Sequence, residues 1–365
     1  MKIAVICRPL SFHGGVETAT AGLLGELSRR GHSVDLISTS AQEPVTGVKV
    51  RRLRLVPQPS VLRLLSFALA ARRAVTGSDY DLVQSHERTL WQDIYRAGEG
   101  SHRGYLRAMG RAPGLDPQHH LLCALERRIF SLRAARHVVA ISRGGKTEIE
   151  ALYGTPPLRV SLVYNGVDLA RFHPDNRARY GPAARAALSL APDDWVVLFV
   201  GSGFERKGLA PLLEGLDRLG DPRGRLVVAG KGDVRPYREL ASRLGFDGRV
   251  RWLGPRRDVE QLYAAADVVA LPARYEPFGN VHLEALASGV PVLSSAHAGG
   301  SEVIAPGKNG WIVAEAAGGP IAEGLRALRD GHAGLMSAAA RGAAEPFTHA
   351  ACADAFESLY ARLGR

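Results

Sequence analysis

Short apolar runs alternate along this chain with stretches in which apolar residues recur at helical spacing. Lys2–Cys7 is apolar and stops at Arg8-Pro9, which reads as a buried first strand rather than the apolar core of a leader. Val16–Arg30 follows with a helical pattern that ends at Gly31, and Ser33–Ser38 reads as a second strand. Strand, helix and strand in that order make the unit of a parallel sheet. Asp81–Ser85 and Arg136–Ile141 predict further buried strands. The second half repeats this grammar: Trp195–Val200, Arg225–Ala229, Arg249–Leu253, Val268–Pro272 and Pro291–Ser294 read as strands. Helical patterns lie between them, as at Val234–Leu244 and Val259–Ala266. Two such series predict an α/β protein of two doubly wound, Rossmann-like domains. The join is expected within Leu169–Pro192, where Pro, Asn and Arg accumulate. That gives domains 1–172 and 173–345, with 346–365 as a terminal helix.

Ligands of open parallel sheets bind beyond the carboxyl ends of the strands, and two domains whose strand ends face each other enclose a cleft. The informative residues fall at such ends: Gly14-Gly15, His86-Glu87, Ser142, Gly201-Ser202-Gly203, Gly230 and Glu276. The densest stretch is Glu276-Pro277-Phe278-Gly279-Asn280-Val281-His282-Leu283-Glu284. Its two carboxylates suit paired hydroxyls, and the helix start between them suits a phosphate or sugar oxygen. Together they read as a holder for a nucleotide-linked sugar. Gly14-Gly15 lets backbone approach a diphosphate ahead of a helix. Gly-x-Gly-x-x-Gly is absent there, which argues against a dinucleotide enzyme. Arg206-Lys207 follows a Gly-Ser-Gly strand exit, where adjacent cations neutralise a leaving diphosphate. His86 is placed to hydrogen-bond a reacting sugar, with Glu87 to orient it or the acceptor.

Composition adds one asymmetry. Of 365 residues 46% are hydrophobic, enough for two cores, and no apolar run approaches the ~20 residues of a bilayer span. Three cysteines, without metal or disulfide spacing, fit a reducing cytoplasm. Residues 1–172 carry 24 Lys and Arg against 14 Asp and Glu, a net of +10, whereas 173–365 carry 23 against 22, a net of +1. The basic half suggests a polyanionic partner, among which an anionic lipid surface ranks first. Val61–Val75 and His102–Arg111 are the candidate segments for lying on such a surface. No recognition motif for nucleic acid accompanies the charge, so no nucleic-acid partner is expected.

At these residues the chain resembles the retaining glycosyltransferases of family four, which have the GT-B fold. The matching stretches are Gly14-Gly15-Val16-Glu17, Ala140-Ile141-Ser142, Asn165-Gly166-Val167-Asp168, Arg206-Lys207-Gly208 and Ala273–Gly279, together with the Glu276-to-Glu284 spacing. Within the family it is most similar to the glucosyltransferases of the lipopolysaccharide core, through Phe12-His13-Gly14-Gly15 and Gly201–Gly208. The resemblance implies that the C-terminal domain binds the nucleotide sugar, with UDP-glucose as the first donor, and that the N-terminal domain binds a saccharide or lipid-linked acceptor. It implies Glu284 on the ribose, Glu276 and the Phe278 and Gly279 amides beside the transferred sugar, and Asn280 and Val281 amides at phosphate. Gly203 and Gly230 belong to the donor pocket. Arg206 and Lys207 stabilise the diphosphate in place of a metal, so neither metal nor cofactor is expected. His86 stands near the reacting sugar, Gly15 closes on the diphosphate, and the final helix returns to the N-terminal domain. A peripheral location on the cytoplasmic membrane's inner face follows. A soluble acceptor and a GDP-sugar donor stand as the alternative.

Overall fold

The computed structural model describes residues 1–10, 15–39, 44–56, 58–331 and 333–364. The chain forms two compact units, each around an all-parallel sheet. The N-terminal sheet contains β1 (Lys2–Ile6), β2 (Ser33–Ser38), β3 (Val48–Arg52), β4 (Leu82–Ser85), β5 (Gln92–Arg96), β6 (Ala135–Ala140) and β7 (Val160–Leu162). Their order is β3-β2-β1-β4-β5-β6-β7. Ile3 on the central strand lies opposite both Val34 and Leu82. Such strands are covered on both faces, which explains their unbroken apolar runs.

Helix α1 (Gly15–Arg29) buries Leu23, Leu24 and Leu27 against one face of that sheet, and α2 (Ser60–Val75) buries Phe67, Ala71 and Val75 against the other. The last helix, His349–Leu363, packs Cys352, Phe356, Leu359 and Tyr360 into the same cluster as Ile3, Val5 and Leu24.

The C-terminal sheet contains β8 (Trp195–Val200), β9 (Gly224–Ala229), β10 (Val250–Gly254), β11 (Val268–Leu271), β12 (Val292–Ser295) and β13 (Gly310–Val313), in the order β10-β9-β8-β11-β12-β13. Leu212, Leu213 and Leu216 of one covering helix meet Ile321, Leu325 and Leu328 of another in its core.

The units divide at Gly166–Val167, a few residues before the composition change. The physical reason is that residues 167–187 are tied to the C-terminal unit. Arg171 pairs with Glu260 at 2.7 Å, and Phe172 meets Tyr263 edge-on with ring centroids 5.6 Å apart. What reads as a linker contains a helix, Asn176–Ala187, whose Arg185 pairs with Asp267 at 2.7 Å.

Candidate functional site

The segments that follow β8 and β11 carry Arg206, Lys207 and Glu276. After β8 the backbone turns through Gly201-Ser202-Gly203, and Gly203 has φ of +79°. Gly230 ends β9 at φ +147°, and its N–H donates to the Gly254 carbonyl at 2.8 Å. Arg206 and Lys207 then form a short turn closed by Gly208. Only glycine fits at 208: its φ is +78°, and a Cβ there would collide with the Pro272 carbonyl. That turn delivers both cations to one carboxylate. Glu276 lies 2.9 Å from Arg206 Nη1 and 3.2 Å from Lys207 Nζ. Arg206 also donates to the Tyr275 carbonyl at 2.7 Å.

Glu276 and Lys207 are nearly enclosed, with side-chain exposure of 11% each. Burial alone would raise the Glu276 pKa, but Lys207 and Arg206 outweigh it and hold the carboxyl down at about 2. It is therefore a carboxylate at any pH near neutrality.

Glu284 sits on the short helix Val281–Ala287, also buried. Its carboxylate accepts a hydrogen bond from the Tyr263 hydroxyl at 2.7 Å. Burial pushes its pKa up, and the Tyr263 hydroxyl and the charges of Arg171 and Lys207 offset part of that. The two glutamates thus differ in kind: one is locked between cations, the other rests on a phenol.

Gly279, between them, has φ of +82°. His282 fixes this turn. Its Nδ1–H donates to the Gly279 carbonyl at 2.7 Å, and its Nε2 accepts from the Ser294 hydroxyl at 2.8 Å. Burial lowers the His282 pKa to about 4, so the ring is neutral and that pattern is stable. The Glu276–Phe278 backbone pairs with the segment after β12: Gly299 N donates to Glu276 O at 2.8 Å and Gly300 N to Phe278 O at 2.7 Å. Asn280 stands at the cap position of the helix, and Val281 is its first residue.

Tyr263, His282, Ser294 and Gly300 were not singled out from the sequence. The one local signal was Gly299-Gly300 after a strand, because the other contacts join residues distant in the chain.

Gly15 opens α1, and Gly14 lies outside the described residues. Ser142 caps the helix Arg143–Tyr153 by accepting from Gly145 N at 3.0 Å.

His86 follows β4 as expected, and both of its ring nitrogens are hydrogen-bonded within the fold. Its Nδ1 is 3.0 Å from Thr20 Oγ1 and its Nε2 is 2.7 Å from Gln84 Nε2. The Tyr360 hydroxyl donates to Gln84 Oε1 at 2.7 Å, which turns the Gln84 amide N–H toward the imidazole. Burial drives the His86 pKa well below its usual value.

The charged groups at this sheet end are instead Arg8, Glu87, Arg88, Glu99 and Glu126. Arg8 pairs with Glu87 at 2.8 Å and also with Glu99; Arg88 pairs with Glu99 at 3.0 Å and with Glu126 at 2.7 Å.

The two Rossmann-like sheets are those of the GT-B glycosyltransferases, and sequence comparison agrees. Residues 13–171 match glycosyltransferase family 4, and residues 182–336 match the glycosyl transferases group 1. An uncharacterized glycosyltransferase of Methanocaldococcus jannaschii is 30% identical over 336 residues, covering 86% of this chain and 85% of its own. The chain belongs to this glycosyltransferase family.

Two solved structures share the fold. WaaG, a glycosyltransferase involved in lipopolysaccharide biosynthesis, aligns with a TM-score of 0.81 at 24% identity, covering 96% of this chain and 95% of WaaG. HepE of Anabaena, solved with UDP and glucose, aligns with a TM-score of 0.79 at 19% identity, covering 99% of each chain.

Proposed function

We propose that this glycosyltransferase moves a hexose, glucose first, from a UDP-sugar to a saccharide of the lipopolysaccharide inner core or another lipid-linked glycan, with retention and without a metal. The observation that carries the donor half is the Glu276–Arg206–Lys207 constellation at the strand ends. Two cations held beside an enclosed carboxylate are a ready receptor for a diphosphate next to a sugar. Glu284 takes the ribose hydroxyls, and Phe278, Gly279, Asn280 and Val281 present backbone amides to sugar and phosphate. Gly203 leaves room for the donor, and Gly230 lets the Gly201 backbone lie against the end of β9. The HepE complex, which holds UDP and glucose, supports the choice of donor.

With Glu276 held between Arg206 and Lys207, same-face attack is the chemistry favoured: the diphosphate oxygen leaves and accepts the proton of the acceptor hydroxyl as the new glycosidic bond forms. A panel of UDP-, GDP- and ADP-sugars read by thermal shift tests the donor, since a ligand of the native state raises the melting temperature. UDP-glucose should give the largest rise. Glu284→Gln should weaken UDP binding about tenfold, and an unchanged UDP affinity would remove the ribose assignment.

The acceptor half rests on the basic N-terminal half and on α2. Leu62, Leu65 and Leu69 recur on one side of α2 and are 47%, 37% and 39% exposed, with Arg63, Arg72 and Arg73 exposed on the same helix. An apolar stripe flanked by arginine suits an anionic bilayer surface. The second candidate segment differs, because Leu106 of the helix His102–Ala108 is buried. No helix among the described residues is long and apolar enough to cross a membrane. Sedimentation with phosphatidylglycerol vesicles should carry the protein down at low salt, and a Leu62→Ser/Leu65→Ser variant should stay in solution. Equal sedimentation of both proteins would reject α2 as the contact.

A further inference from the structure

His282 is a polar side chain in an apolar place. The helix Val281–Ala287 is buried at every residue, and only His282 and Glu284 along it are polar. His282 has no exposed surface. Burying an imidazole is costly unless its ring nitrogens find partners. Here one meets the Gly279 carbonyl and the other the Ser294 hydroxyl. Ser294 belongs to β12 and lies opposite Leu271 of β11 on one side and Ile312 of β13 on the other. The ring therefore ties the glycine turn to the interior of the sheet. An apolar side chain would fill the same space and make neither bond.

What the ring holds follows from the shape of a peptide unit, which is planar and trans. Its C=O and N–H point in opposite directions, so a carbonyl that is held also aims the N–H of the next residue. The Phe278 carbonyl accepts from Gly300 N at 2.7 Å, which aims the Gly279 N–H. The Gly279 carbonyl accepts twice from His282, from its backbone N–H at 3.0 Å and from Nδ1 at 2.7 Å, which aims the Asn280 N–H. The parts fit closely. A Cβ on Gly300 would stand 2.5 Å from His282 Nδ1 and 2.6 Å from the Phe278 carbonyl oxygen. One on Gly279 would stand 2.8 Å from the same nitrogen and 3.1 Å from Glu276 Cγ. We propose that His282 is a positioning residue for sugar transfer: braced by Ser294, it sets the tilt of the Gly279–Asn280 peptide and so the direction from which this turn meets the transferred sugar. This rests on the donor reading above, in which the amides of the turn reach sugar and phosphate. Misplacement by about 1 Å can cost a reaction about 10²-fold, so a small tilt has a large effect on rate.

The test uses the full chain, with UDP-glucose as the probe and its hydrolysis to UDP and glucose as the reaction. His282→Leu removes both side-chain bonds and should lower kcat about tenfold or more. UDP affinity, which rests on Glu284, Arg206 and Lys207, should stay within about twofold, so the loss appears in kcat rather than in binding. His282→Asn returns a side-chain N–H near the place of Nδ1 and should have an intermediate kcat. Ser294→Ala removes the brace alone and should lower kcat about threefold. Histidine nitrogen NMR should show His282 as the Nδ1–H tautomer. The Asn280 amide signal should move in His282→Leu and move less in His282→Asn.

A His282→Leu protein with the kcat of the wild type would overturn the proposal. So would parallel losses of kcat and UDP affinity, since those mark a pocket that has collapsed rather than a turn that is mis-aimed. His282→Asn no better than His282→Leu would show that the N–H to Gly279 is not what the ring supplies. An Nε2–H tautomer, or an Asn280 signal unmoved by His282→Leu, overturns the proposal without reference to any donor. If His282→Leu does not fold, Ser294→Ala decides, and an unchanged kcat again overturns it. Wild-type protein that neither binds nor cleaves UDP-glucose would defeat the donor reading, and the Asn280 signal alone then decides whether His282 aims the peptide.

Discussion

Replacing Lys207 with alanine should lower kcat by about 10²–10³-fold while leaving the melting temperature close to that of the wild type. The Lys207 side chain is 11% exposed, and its ammonium reaches Glu276 at 3.2 Å. In so enclosed a place a charge acts through a lower effective dielectric than at the surface, so it bears more strongly on charge that develops during reaction. The charge that develops is on the departing diphosphate, and an interaction strongest at that stage appears in kcat rather than in KM. Stability should be spared, because Arg206 still pairs with Glu276 at 2.9 Å. Initial rates of glucosyl transfer across a range of UDP-glucose concentrations read the result. A variant with wild-type kcat and a raised KM would assign Lys207 to ground-state binding only.

The second large effect is on folding. Phe356→Ala should cost about 3–5 kcal/mol, the usual toll of emptying a fully buried aromatic site. It should lower the melting transition of the N-terminal unit by roughly ten degrees. Phe356 has no exposed surface and shares a core with Ile3, Val5 and Leu24. Ser358→Ala, two residues away on the exposed side of the same helix, should stay within about 0.5 kcal/mol. Differential scanning calorimetry of the two variants is the measurement. A Phe356→Ala protein that melts with the wild type would show that the last helix adds little to that core.

The central strands of both sheets were legible because parallel strands covered on both faces leave unbroken apolar runs, as in Trp195–Val200. The strand exits were legible through glycine, and Glu276 with Glu284 through spacing. Four strands were not: β3, β5, β7 and β13. β7 is only three residues long, Val160–Leu162. β3 carries Lys49, Arg51 and Arg52 because it is an exposed edge strand with little to bury. β5 is buried throughout yet contains Gln92, Asp93 and Arg96, whose polarity mimics a loop. Asp93 is satisfied by Val83 N at 2.9 Å, a partner ten residues away in sequence. β13 is a four-residue stretch opened by Gly310. The helix 176–187 was hidden by Pro182 and by charged residues that serve as ties to Asp267 rather than as a solvated linker. In the site, what escaped notice was support rather than contact: the Tyr263 hydroxyl under Glu284, and His282 bridging Gly279 to Ser294. Such partners are set by the meeting of distant segments, and a local pattern does not record them.

The return of the last helix also fixes an order of events at the ribosome. The unit that is synthesised first lacks part of its own core until residues 349–363 have emerged, whereas the core of the second unit is drawn from residues between Val197 and Met336 and is complete before then. The nascent N-terminal sheet must therefore wait, with the apolar surface around Ile3, Val5 and Leu24 uncovered, through the making of residues 167–348. Emergence of residues 349–363, rather than synthesis of the first half, is the step that closes that core.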